Sequence, residues 1–279
     1  MLFFENEIID FRYSPIIYLN KESSIEITTN IDLLSQTFFI NWDDINKTEA
    51  ETLFFANKLN INIFRGRIIE AMKILKNYDN KEYLKYLNST RKIVLFHHPK
   101  FRNFAIREAH GTIFLNVNEN STLSFFLEEI IHQCSHNVFN AITYKISDFF
   151  SANPYSPISD YIDEEDYRSL YGAFHGIYTT GKIVDVLLKI VKSENNFPKE
   201  LECENLGRLA LNINRTKIGL DTIEPGLIFT AKGKKLSEHL IAELVKNIES
   251  NAYYFRYNMK THPVVFDLNK FKLDNPTIH

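Results

Sequence analysis

Residues 122–147 read TLSFFLEEIIHQCSHNVFNAITYKIS. Leu123, Phe126, Ile130, Ile131, Cys134 and Phe139 recur at helical spacing, so the stretch is expected to be one amphipathic helix. Short apolar runs precede it. Ile93-Val94-Leu95-Phe96 and Gly111-Thr112-Ile113-Phe114-Leu115 have the length and β-branched content of strands, as do 16–18 and 24–28 nearer the start. Thr48-Glu49-Ala50-Glu51 is a capping-box pattern. From there Leu53, Phe54, Ile61, Phe64, Ile68, Met72 and Leu75 suggest a helix over 48–77, broken near Asn60–Asn62. Downstream, 151–166 (SANPYSPISDYIDEED) is a polar loop. A helix is expected over 167–193 and another over Thr230–Glu249, with a last strand at 264–266. The pattern is α+β: one predominantly helical domain, 1–279, with a small sheet. Within it, 1–90 form a helix-rich N-terminal part, 91–200 a core and 201–279 a C-terminal helix and tail.

Composition sets the outer limits. The chain has 279 residues, 44% apolar and 24% charged, with a net charge of -3. A general nucleic-acid binder would be basic, so no nucleic-acid partner is expected. No apolar run is long enough to span a bilayer, and the opening MLFFENEIIDF has no basic region of the signal-peptide kind. The only two cysteines, Cys134 and Cys203, exclude a disulfide framework and suit a reducing cytoplasm. The 23 Phe and 14 Tyr are read as core material.

The chemistry lies in Glu128-Glu129-Ile130-Ile131-His132-Gln133-Cys134-Ser135-His136. His132 and His136 are four apart, which on a helix puts both imidazoles on one face, where they can share a metal. With nine histidines in the chain the spacing alone is weak evidence. In zinc hydrolases of the HExxH type a Glu after the first His is the general base. Here that position is Gln133, and an amide takes no proton at neutral pH. A metal enzyme in which oxygen and a co-substrate supply the chemistry tolerates Gln133. Glu128 or Glu129, one turn before His132, offers a carboxylate to orient an imidazole or to join a metal shell. Cys134 should face away into the core. His97-His98-Pro99 is not expected to share a metal, since neighbours on a strand point apart. His175 is the candidate third ligand, in Tyr167-Arg168-Ser169-Leu170-Tyr171-Gly172-Ala173-Phe174-His175-Gly176-Ile177-Tyr178; Gly172 and Gly176 beside it would let another helix approach.

Together these parts carry a family resemblance. The order His132-Gln133-Cys134-Ser135-His136, Ser156-Pro157, Asp160, Arg168, His175-Gly176-Ile177-Tyr178 and Thr230-Ala231-Lys232-Gly233-Lys234-Lys235-Leu236 resembles the α-ketoglutarate-dependent HExxH-type peptide β-hydroxylases. These HEXXH-motif proteins accompany ribosomally made, modified peptides. The resemblance covers about 110–250, with Gln133 in place of the motif Glu. It implies a metal site between two helices, with His132, His136 and His175 as joint ligands of iron(II) and Gln133 beside them. It also implies 2-oxoglutarate and dioxygen as co-substrates, and a side-chain β-carbon of a precursor peptide, with a leader segment, as the place of hydroxylation. A homodimer is left open. The co-substrate's distal carboxylate needs a cation, and Arg168, two turns before His175 on an expected common helix face, is the first choice. Arg102, Arg107 and Arg215 are rivals. The alternatives are a zinc-dependent hydrolase and a catalytically altered peptide-binding relative.

Overall fold

The computed structural model describes residues 61–98, 101–161, 168–193, 197–222, 228–259 and 266–277, together with 25–29 and short strands at 3–4, 7–8 and 17–18. The fold is α+β and mostly helical, with a small sheet. The chain divides into two compact units, Met1–Val138 and Phe139–His279.

In the first unit β1 (Phe3–Phe4) pairs with β2 (Glu7–Ile8). The main sheet has the order β3 (Ile17–Tyr18), β4 (Glu26–Thr28), β5 (Lys92–Phe96), β6 (Thr112–Asn116), with β4, β5 and β6 parallel and β3 antiparallel to β4. Ile27 faces Ile93, and Ile93 faces Ile113 in register. The unbroken apolar run Ile93–Phe96 is what a parallel strand covered on both faces requires, and each of its residues is almost fully buried. Among the described residues two helices intervene between β4 and β5: α1 (Ile61–Tyr78) and α2 (Asn80–Ser89). Asp79 caps α2 by accepting from the Glu82 N–H at 3.2 Å. Gly111 takes φ 85° at the turn into β6, a left-handed conformation open to glycine. Its carbonyl accepts from the N–H groups of Arg91 and Lys92.

The 122–147 stretch forms α3 (Leu123–Ile142), shorter than expected and followed by a 3-10 turn at Ile146–Asp148. The expected 48–77 helix is described only from Ile61; its capping box and the break near Asn60 lie outside the described residues.

The second unit holds α4 (Leu170–Lys192), α5 (Lys199–Thr222), α6 (Ala231–Glu249) and α7 (Leu268–Asp274). α4 packs along α5 and touches α6. α4 begins at Leu170, three residues later than the sequence suggests, because Ser169 is its cap and accepts from the Gly172 N–H at 3.0 Å. Thr230 caps α6 in the same way, accepting from Gly233 N–H at 3.1 Å. Its hydroxyl donates to the Asp148 carbonyl at 2.6 Å. A Cβ at Gly233 would overlap the Phe149 carbonyl, which explains glycine at that position of the Thr-x-x-Gly stretch. The expected strand at 264–266 lies outside the described residues except for Phe266, which is not in a strand. Among the described residues no helix is long and apolar enough to cross a membrane.

Candidate functional site

Hydrogen bonds from its other faces fix the rotation of α3. In the first unit Ser135 Oγ and Tyr86 OH are 2.8 Å apart, and Asn137 Nδ2 donates to Thr90 Oγ1 at 3.2 Å. Cys134 is 1% exposed, and burial pushes its thiol up to about 12, so it is an inert core residue rather than a nucleophile. With Cys134 turned inward, His132 and His136 lie on the other side of the helix. Both are half-buried, with ring centroids 4.9 Å apart.

Acidic and amide groups border this pair. The His132 Nδ1 atom lies 3.8 Å from Glu129 Oε2 and 3.4 Å from Gln133 Nε2. Gln133 Nε2 donates to Glu129 Oε2 at 3.0 Å, and Gln133 itself is 1% exposed. Its carbonyl oxygen, Oε1, is buried without a hydrogen-bond partner. This arrangement supplies a physical reason for an amide at 133. A carboxylate there would sit about 3 Å from Glu129 in a buried place, and like charges so close disfavour ionisation. Gln133 gives a neutral donor instead, and Glu129 is held beside the Nδ1 edge of His132. Carboxylates in that position orient metal-binding imidazoles. Glu128, its neighbour, is buried.

His175 belongs to the second unit. It is 8% exposed and stacks on Phe139, with centroids 4.9 Å apart and planes at 19°. Tyr171 flanks it at 5.3 Å, and the Tyr171 hydroxyl donates to Asn140 Oδ1 at 2.8 Å and lies 2.9 Å from Thr143 Oγ1. Phe150, Phe174, Tyr178 and Phe229 extend the aromatic cluster. No described helix comes close to either flanking glycine, and only Gly172 is tightly bordered. A Cβ at Gly172 would stand 3.0 Å from the capping Ser169 Oγ, and one at Gly176 3.8 Å from the Arg168 guanidinium. Close helix approach occurs elsewhere, at Gly181, where Leu244 of α6 fills the Cβ position.

Arg168 requires a correction. It precedes the cap of α4, so it shares no helix face with His175, and it is exposed. Its backbone is nonetheless held: the Arg168 carbonyl accepts from Ile158 N–H at 2.8 Å, and the Leu170 N–H donates to the Ser156 carbonyl at 3.0 Å. The Ser156-Pro157 segment thus pairs with 168–170, and the Arg168 guanidinium lies beside Gly176 in the second turn of α4. Among the rival cations, Arg102 is exposed, while Arg107 and Arg215 are half-buried. His97 and His98 have separate engagements, His97 Nδ1–H donating to the Val117 carbonyl and His98 Nδ1 accepting from Phe101 N–H.

Among the described residues no group of three or more His, Cys, Asp or Glu side chains is placed to hold a metal ion. The donors that the structure brings together are His132 and His136, with Glu129 alongside. They fit two positions of a metal shell and a carboxylate next to it. The three-histidine set rests on the resemblance. No protein-family model matches the chain, and no curated protein matches it.

Proposed function

We propose that the protein is an iron(II)- and 2-oxoglutarate-dependent oxygenase that hydroxylates a side-chain β-carbon of a ribosomally made precursor peptide in the cytoplasm. The observation that carries this reading is the pairing of His132 and His136 on one face of α3, with Glu129 against the Nδ1 edge of His132. The order of the surrounding motifs supports it. Iron(II), when bound, would supply the oxidative chemistry, in which 2-oxoglutarate loses carbon dioxide and becomes succinate, one oxygen atom of dioxygen ending in succinate and the other in the substrate hydroxyl. The residues of the chain have narrower tasks. His132 and His136 offer nitrogen ligands, and His175 is assigned the third position. Glu129 orients His132, and Gln133 holds Glu129 without adding charge. Arg168 presents its guanidinium fork to the distal carboxylate of 2-oxoglutarate. Gln133 is engaged as a donor and takes no proton, which disfavours the zinc hydrolase.

A peptide-binding relative without the chemistry is the second reading. It is favoured by the burial of His175 in an aromatic stack, where the ring is already in use. Co-expression with a precursor peptide substrate separates the two. The oxygenase adds one oxygen atom to the peptide and forms succinate from 2-oxoglutarate in equal amount. An unmodified peptide that binds the protein, with no succinate formed, contradicts the oxygenase and leaves the binding relative.

A further inference from the structure

α3 is sealed almost all round. From Ser124 to Asn140 every residue is buried except Phe125, Glu129, His132 and His136, which are half-buried. Each stands three or four residues from the next, so the four share one line along the helix. Three of them are groups already described, the two imidazoles and the carboxylate against His132. The fourth is a phenyl ring that none of that chemistry uses. Phe125 meets Phe126 edge-on, with centroids 5.3 Å apart, and keeps part of its surface open on the line of the histidines.

A helix open along one line is approached along that line. A ligand that reaches the imidazoles and continues past Glu129 comes next to Phe125. The rise of 1.5 Å per residue puts Phe125 about 10 Å along the axis from His132. An extended peptide advances about 3.3 Å per residue, so about three residues cover the same distance. An apolar side chain laid on the phenyl ring removes apolar surface of both from water.

We propose that this line is the floor of the substrate channel, and that Phe125 seats an apolar side chain of the peptide three residues from the one hydroxylated. The assignment rests on the proposed function, in which the histidine pair holds the metal and the substrate is a peptide. It adds a selectivity that the metal site alone lacks, an aliphatic or aromatic residue at a fixed distance from the reacting one. Glu129, lying between, disfavours an acidic side chain at the two intervening positions.

The probes are hydroxamates, which chelate a metal and so anchor one end of a short peptide at the histidine pair. An extended chain can run either way along α3, so both polarities are made. One probe is acetyl-Leu-Ala-Ala-hydroxamate and the other a malonyl hydroxamate of Ala-Ala-Leu-amide, each with an all-alanine counterpart. They are titrated into the cobalt(II)-loaded full-length protein, following the visible bands of the metal. In one polarity the leucine probe should bind at least tenfold more tightly than its alanine counterpart. Phe125→Ala should abolish that preference while binding acetohydroxamate as the parent does, which also shows that the variant is folded. Phe125→Leu, still apolar, should keep most of the preference. No leucine preference in either polarity, or one that survives in Phe125→Ala, would overturn the proposal. The comparison of leucine and alanine probes on the parent is a test even if Phe125→Ala does not fold. A parent whose cobalt spectrum ignores acetohydroxamate contradicts the metal reading itself, and the channel falls with it.

Discussion

The histidines of α3 and the histidine of α4 are the same residue type in opposite surroundings. His132 and His136 lie half-buried beside Glu129 and the Gln133 amide, and their rings adjoin each other. His175 is enclosed by Phe139 and Tyr171 and shares a cluster that holds the second unit together. A half-buried imidazole next to a carboxylate is equipped for ligand work. An imidazole stacked in an aromatic core also fills space, so its removal is felt in stability whatever ligand role it has. The difference shows that a histidine's place in a motif says where it stands along a helix, while its neighbours decide its use.

The largest expected effect is on stability, and it comes from His175. His175→Ala leaves a hole among aromatic rings and should destabilise the protein by about 2–4 kcal/mol in urea unfolding. His132→Ala and His136→Ala, being half-exposed, should each cost less than about 1 kcal/mol. Equal losses in all three would remove the contrast between the two regions.

Gln133→Glu comes next. It sets a second carboxylate against Glu129 in a buried position, so it should destabilise by about 2 kcal/mol at neutral pH. Adding Glu129→Gln to Gln133→Glu should restore most of that loss, because one amide and one carboxylate are present again. A Gln133→Glu protein as stable as the parent would show that residue 133 is not held against Glu129.

Arg168→Ala is expected to be small in stability, within about 0.5 kcal/mol, because the side chain is exposed. Under the proposed function it should still weaken 2-oxoglutarate binding about tenfold, measured by titration of the anaerobic iron protein. Arg168→Lys should recover only part, since a point charge replaces a fork. An unchanged affinity moves the carboxylate partner to another arginine.

Much of the fold was legible where burial is purely apolar. Ile93–Phe96 and Ile113–Leu115 are recognisable as strands because their continuous apolar runs are covered on both faces. The Thr-x-x-Gly start of α6 is legible because its cap hydroxyl and its glycine each have a local cause. Three helices gave no comparable signal. α5 buries Glu204, Asn205, Arg208, Asn212 and Thr216, so its inward face carries no clean apolar stripe. α2 is short and polar, and α7 is a single capped segment of seven residues. At the site, the facing of His132 and His136 follows from spacing alone. The engagement of Gln133 with Glu129 also obeys a helical spacing, four residues, and was open to the same reading. The surroundings of His175 and the position of Arg168 ahead of its helix depend on tertiary packing and on the Ser169 cap. No spacing along the chain records either.

The central claim is that His132 and His136 form a metal-binding pair, and anaerobic titration with iron(II) tests it most directly. The parent should take up about one iron per chain, and His132→Ala and His136→Ala, both still folded, should each lose most of it. Undiminished iron uptake in either variant, or none in the parent, would contradict the account.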